Sequence, residues 1–249
     1  MTSTLSPLLQ LGTLDLLSLS PPGWGGNLLR ALLSSLEIAL GAFGMGLAIG
    51  MLGAAGKLYG GPVLRDLLEI YTTLVRAIPE LILILLLYYA GTDLVNRASA
   101  ALGYGQLDIS GLAAGILVLG IVQGAYATEV LRGAILAVPQ GQIEAGRAYG
   151  MSPWLLMRRI TLRAMLPFAI PGLANLWLIA TKDTALLAVV GFNELTLTTR
   201  QGAGATKAYL TFFTAAMIIY LCVTLVSSLL LGRLESWARR GLPPVREAA

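Results

Sequence analysis

An all-α fold, a polytopic membrane bundle of about five spanning helices, is what this sequence predicts, and three observations predict it. Hydrophobic residues make up 56% of the 249 and charged residues only 12%, with a mean hydropathy of +0.77. A soluble domain carries about 25% charged residues, so this chain has too little polar surface to coat a globule, and lipid must cover it instead. Apolar windows long enough to cross a bilayer recur along the chain, and the basic residues between them alternate from side to side in a consistent way.

A spanning helix needs about 20 mostly apolar residues. Windows at 29–52, 67–90, 109–131, 165–190 and 209–231 qualify, the fourth interrupted by Lys182 and Asp183. With these five spans, Lys57 and Arg65, then Arg132, Arg147, Arg158, Arg159 and Arg163, then Arg233, Arg239, Arg240 and Arg246 all fall on one side. The other side keeps Arg30, Arg97, Arg200 and Lys207. The positive-inside rule makes the first side cytoplasmic, so the N-terminus is expected outside and the C-terminus in the cytoplasm. Omitting the fourth span would put the two most basic segments on opposite sides. Glycines at 41, 44, 46, 50 and 53 in the first span, and at 111, 115, 120 and 124 in the third, predict close helix approach within lipid.

The organisation expected is a tail or interfacial segment over 1–27, one transmembrane domain over 28–232 and a basic cytoplasmic tail over 233–249. The leucine-rich stretch 8–19 reads as a short helix along the membrane surface or a loose tail; with no Lys or Arg before it and Pro21-Pro22 after it, it does not resemble a cleaved signal. A single cysteine, Cys222, excludes an intrachain disulfide, and the absence of histidine removes the commonest general base and metal ligand. No catalytic constellation or metal cluster stands out, and the modest net charge of +4 follows from topology and gives no sign of a nucleic-acid partner.

The most informative stretch is 138–162, between spans three and four. Pro139 suits a first helical turn, Gly150 the left-handed position past a helix end, Ser152 an N-cap and Pro153 the first position of a second helix carrying Arg158 and Arg159. Two short helices joined by a stop make either an ordinary amphipathic surface loop or a rigid elbow that another protein can grip. In the second reading Ala145 and Gly146 form a flat patch of small residues beside the charges of Glu144 and Arg147.

Glu144-Ala145-Gly146, then Gly150, then Ile160-x-Leu162, resembles the EAA loop of permeases in binding-protein-dependent ABC importers. The resemblance extends to Tyr71–Glu80, to Gly124–Ala134 with Pro139, to Pro171-Gly-x-x-Asn175-x-Trp177 and to Lys182-x-Thr184-Ala-Leu186, and so covers most of 28–232. It is nearest to the histidine/lysine/arginine/ornithine permease subunits and their opine-transporting relatives. The sequence departs from the family pattern at Gly146, where alanine is usual, and at Arg163, where proline is usual; the second departure leaves the end of the second helix open. The resemblance implies a multi-pass permease in the bacterial inner membrane, importing an amino acid by alternating access. It also implies two cytoplasmic ABC ATPase subunits that dock on Glu144–Gly150, a second permease chain, identical or different, and an extracytoplasmic solute-binding protein.

Intramembrane charges are expensive and usually face a cavity or a partner. Glu80 and Glu129 are therefore candidates for a cation-attracting substrate pathway, with Asn175 and Thr184 as polar lining. The structural alternative pairs Arg76 with Glu80 and Glu129 with Arg132. No phosphate-binding loop is present: Gly53-Ala-Ala-Gly-Lys57-Leu has the wrong spacing and lacks the hydroxyl that would hold magnesium. No cofactor is expected on this chain, and ATP belongs to the partner subunits. A secondary transporter driven by an ion gradient is the alternative, although no inverted repeat supports it.

Overall fold

The computed structural model describes residues 15–103 and 111–240, and these are helical, with no strand among them. Five helical segments are long and apolar enough to cross a membrane. The first, α1 (Gly25–Tyr59), has 35 residues. At 1.5 Å per residue it is about 52 Å long, so its ends project beyond a hydrocarbon layer of about 30 Å. It pairs most extensively with α4 (Gly111–Leu136). The glycine stripes explain the pairing. Gly46 and Gly50 of α1 bring its backbone against Gln123 and Ala127 of α4, while Ile49 and Met45 of α1 fill the spaces at Gly124 and Gly120. Across the seam a buried core of Ile38, Ala42, Val118 and Leu119 is completed by Ile84, Leu187 and Phe192.

The window 67–90 is not one span. Its first part belongs to α2 (Pro62–Ala77) and the rest to α3 (Glu80–Ala101), with a break at Ile78–Pro79. Ile78 is extended, as the residue before proline prefers, and the Pro79 carbonyl starts α3 by accepting from the Ile82 and Leu83 amides at 3.0 and 3.2 Å. The Tyr71 hydroxyl of α2 donates to the Ile121 carbonyl of α4, and Val75 and Leu83, on either side of the break, share a core with Val122 and Ala125. The two pieces therefore cover successive lengths of α4. Arg65 lies within α2 and Lys57 in the last turn of α1, so neither occupies the expected loop.

Past α4, α5 (Gln140–Ala148) is followed by α6 (Pro153–Leu156). The second short helix does not end before the fourth span. It passes through a π-helical turn at Met157–Thr161 straight into α7 (Leu162–Asp183), giving an uninterrupted helical path of 38 residues from Pro153 to Val190. Arg163, where the family pattern has proline, retains the backbone N–H that lets the helix continue. A 3₁₀ segment, Thr184–Val190, leads to α8 (Leu195–Thr206), and α9 (Tyr209–Ala238) closes the bundle. α4 is central, with 61% of its spanning window buried, and α9 peripheral, with 6%.

Of the leucine-rich N-terminal stretch, residues 8–14 lie outside the described residues. Asp15–Leu17 form a single 3₁₀ turn, and Leu16 plugs the end of the bundle against Leu28, Leu195 and Phe212. At that end Glu194 is fully buried and caps α8, accepting from the Thr196 and Leu197 amides at 2.8 and 2.7 Å, with the Tyr220 hydroxyl at 3.4 Å. Burial pushes the Glu194 carboxyl above its ordinary value, against the lowering effect of those amide bonds. The native state thus holds this proton more tightly than the unfolded chain. Stability from the group is full below the ordinary glutamate range and is lost as pH rises above it. Glu194→Gln is expected to flatten the fall in detergent melting temperature as pH rises from the ordinary glutamate range; identical slopes in variant and parent would refute the assignment.

Candidate translocation and coupling sites

Among the described residues, two polar clusters lie where the helices of the bundle meet. The first lies where α2 meets α1 and α4. Lys57, 5% exposed, donates to Glu69 and Thr72 of α2 at 2.6 Å and to Glu129 of α4 at 2.5 Å. Arg132 holds the other oxygen of Glu129 at 2.9 Å. Glu129, a candidate for the pathway, is thus engaged on both carboxylate oxygens, one by the expected Arg132 and the other by a lysine distant in sequence.

The second cluster sits at the α2–α3 break. Glu80, the first residue of α3, has its carboxyl close to Asp183 at the end of α7 and to Tyr126 on α4. The Gln123 Nε2 donates to Asp183 at 3.1 Å. No Arg76–Glu80 ion pair forms among the described residues, because the break at Ile78–Pro79 destroys the helical register that an i,i+4 pair requires. Two acids face each other where three helices meet, creating a region of negative potential inside the bundle. Thr184 is enclosed next to Asp183 and donates to the Thr181 carbonyl. Asn175 lies on the exposed side of α7, seven residues from the equally exposed Lys182, so both share one helix face.

The elbow projects from the end that carries most of the basic residues. Gly150 has φ +73°, the left-handed conformation expected, and the Met151 amide returns to the Gly146 carbonyl at 3.1 Å. The Ser152 hydroxyl accepts from the Leu155 amide, with Pro153 behind it in the first turn. Pro139 is the N-cap of α5 rather than a residue of its first turn. Glu144, Ala145 and Arg147 are exposed, but Gly146 is buried and does not contribute to an outward patch. A Cβ there would meet Ile160 Cδ1 at 2.6 Å, so glycine in place of alanine lets the two arms of the elbow cross closely. Beside Ala145 the elbow bears an open, shallow depression lined also by Gln142, Arg159, Ile160 and Arg163. Tyr149 and Trp154 stand 86% and 72% exposed on the same elbow.

The sequence profile of the family described as binding-protein-dependent transport system inner membrane component matches residues 46–240. The chain belongs to that family. It is a multi-pass inner-membrane transport component, not a catalytic chain. It is 41% identical to the nopaline transport system permease protein NocQ of Agrobacterium fabrum, over 92% of this chain and 98% of the relative. It is 38% identical to the histidine/lysine/arginine/ornithine transport system permease protein HisQ of Escherichia coli, over 86% and 93%. A crystal structure of an amino acid ABC transporter with histidines superposes with a TM-score of 0.73 at 26% identity, covering 86% of this chain and 95% of that one. The inward-facing methionine ABC transporter MetNI also gives 0.73, at 19% identity over 89% and 100%, which is a likeness of fold alone.

The sequence points to Glu80 but not to Tyr126 beside it or to Gln123 on Asp183. Both lie on the third span, three residues apart, and the signal is a glutamine in the otherwise apolar stretch 111–125. Lys57 was read as a topological charge, because nothing local to it shows that Glu69, Thr72 and Glu129 converge there.

Proposed function

We propose that this inner membrane component is the permease subunit of an ATP-driven importer for amino acids or opines bearing a cationic group. Substrate passes near Glu80 and Asp183 by alternating access. The basic end of the bundle lies in the cytoplasm, where the elbow docks on separate ATPase subunits, and a second permease chain and an extracytoplasmic binding protein complete the importer. The observation that carries this reading is the elbow itself: a rigid, capped helix–turn–helix that exposes Ala145, Tyr149 and Trp154 on a chain with no nucleotide-binding loop of its own. A spanning bundle has no structural need for such a projection, whereas a partner that changes shape on binding ATP can move it as a unit. The relatives named for nopaline and for histidine, lysine, arginine and ornithine support the substrate class, as does the acidic cluster at the helix break.

Ala145 is exposed, so Ala145→Trp leaves the fold intact while blocking close approach at the elbow. In proteoliposomes containing the complete importer, ATP-dependent lysine or arginine uptake is expected to fall at least about tenfold, the effect of losing roughly 1.4 kcal/mol at the contact. The melting temperature of the isolated permease should not change. Uptake driven by an ion gradient in the absence of the ATPase would overturn the proposal.

A further inference from the structure

The buried side chain of Gln123 carries one polar atom that is left over. Gln123 is 2% exposed, and its Oε1 has no hydrogen-bond partner among the described residues. Its Nε2 is committed to Asp183 at 3.1 Å. That bond sets the amide with Nε2 on the Asp183 side and Oε1 turned away from it. The Gln123 Cβ is held against α1, where a Cβ on Gly46 would come within 2.8 Å of it, and the side chain is enclosed. A buried acceptor left unpaired is normally selected against, and groups of this kind in native structures call for an explanation.

The neighbours suggest one. Asp183 accepts from the amide, Glu80 lies beside Asp183 and Tyr126, and all three are half-buried, so the cluster opens on their side. Two carboxylates attract a cation without distinguishing one kind from another. A neutral amide oxygen adds what they lack, an acceptor that rewards an N–H donor whatever its charge. We infer that Gln123 is a specificity-determining residue whose Oε1 accepts an N–H from the ammonium or guanidinium of the transported molecule, while Glu80 and Asp183 take its charge. An ammonium has three N–H donors and a guanidinium five, enough to satisfy both carboxylates and the amide together. Oε1 is enclosed in the present conformation and is reached as the bundle opens. The assignment rests on the proposed import of cationic substrates.

The test separates charge from hydrogen-bond donation. Lysine and N,N,N-trimethyl-lysine carry the same side-chain charge, but only lysine has side-chain N–H donors; norleucine has neither charge nor donor there. ATP-dependent uptake of each is measured in proteoliposomes containing the complete importer. The parent is expected to prefer lysine over trimethyl-lysine by about tenfold or more, the effect of one hydrogen bond to a charged donor. Gln123→Met, close in volume and without a strong acceptor, should lose most of that preference and keep the preference for lysine over norleucine. Gln123→Glu, sharing a proton with Asp183, keeps an acceptor and should keep the preference, which guards against a merely misfolded methionine variant. An undiminished lysine to trimethyl-lysine ratio in an active Gln123→Met protein would overturn the inference, as would collapse of the ratio in both variants. A parent that takes up no lysine with ATP would instead overturn the import proposal.

Discussion

Replacing Lys57 with methionine is expected to destabilise the protein by about 3 kcal/mol, the largest effect of any single side-chain truncation outside the helix seam. The aliphatic stem is replaced almost atom for atom, so the loss is electrostatic. Lys57 is surrounded by oxygen atoms from two other helices and is almost inaccessible to water. Removing one partner of a buried ion pair typically costs about 3–5 kcal/mol, because the remaining charge stays desolvated and unpaired. The low end applies here. Glu69 is 64% exposed at its side chain and can turn to solvent, and Arg132 still holds one oxygen of Glu129. At roughly 2–4 °C per kcal/mol for a chain of this size, the detergent melting temperature should fall by about 6–12 °C. Adding Glu129→Gln should restore part of the loss, because the stranded charge is then gone. A single variant within 1 °C of the parent, or a double variant weaker than the single by the full Glu129 effect, would show that the cluster does not hold α2.

The cluster also shows which parts of the structure the sequence made legible. Spans one, three and five were readable because a spanning helix needs only length and apolarity, both local properties. The Gly150 turn was readable for a similar reason: a left-handed stop followed by Ser152-Pro153 is chemistry contained within a few residues. The break at Ile78–Pro79 was harder. Proline is tolerated within spanning helices when neighbours satisfy the freed backbone groups, and α7 does run through Pro167 and Pro171. Pro79 ends a helix instead, with α2 and α3 each packed separately on α4, and that difference is set by tertiary contacts. The candidate residues divide along the same line. Glu80 was legible as a charge in a membrane, but its neighbours come from positions 126 and 183. Asn175 and Thr184 are both polar residues within motifs, and polarity does not say which way a side chain faces.

Gly50→Ala is expected to weaken the α1–α4 seam more than any other single methyl group added to α1. The new Cβ would lie 2.5 Å from the Ala127 Cβ, 2.9 Å from the Ala127 carbonyl carbon and 3.1 Å from the Thr128 amide. Two of those three atoms are backbone, so no rotamer change relieves the clash, and the helices must separate. Separation reaches well beyond one residue, because Gly46 against Gln123 and Gly53 against Thr128 belong to the same line of contact. In lipid the association of two helices depends on such packing, with no hydrophobic drive to offset its loss. Overpacking a fitted interior costs about 1–3 kcal/mol, and the upper half of that range is expected here. Gly44 provides the control: nothing lies within 4 Å of its would-be Cβ, so Gly44→Ala should be neutral or should add up to about 1 kcal/mol through helix propensity. Since Gln123 and Lys57 take their positions from this seam, the Gly50 variant should lose ATP-dependent uptake along with melting temperature. Equal stability of the Gly44 and Gly50 variants would mean that the close approach of α1 to α4 is not what holds either polar cluster in place.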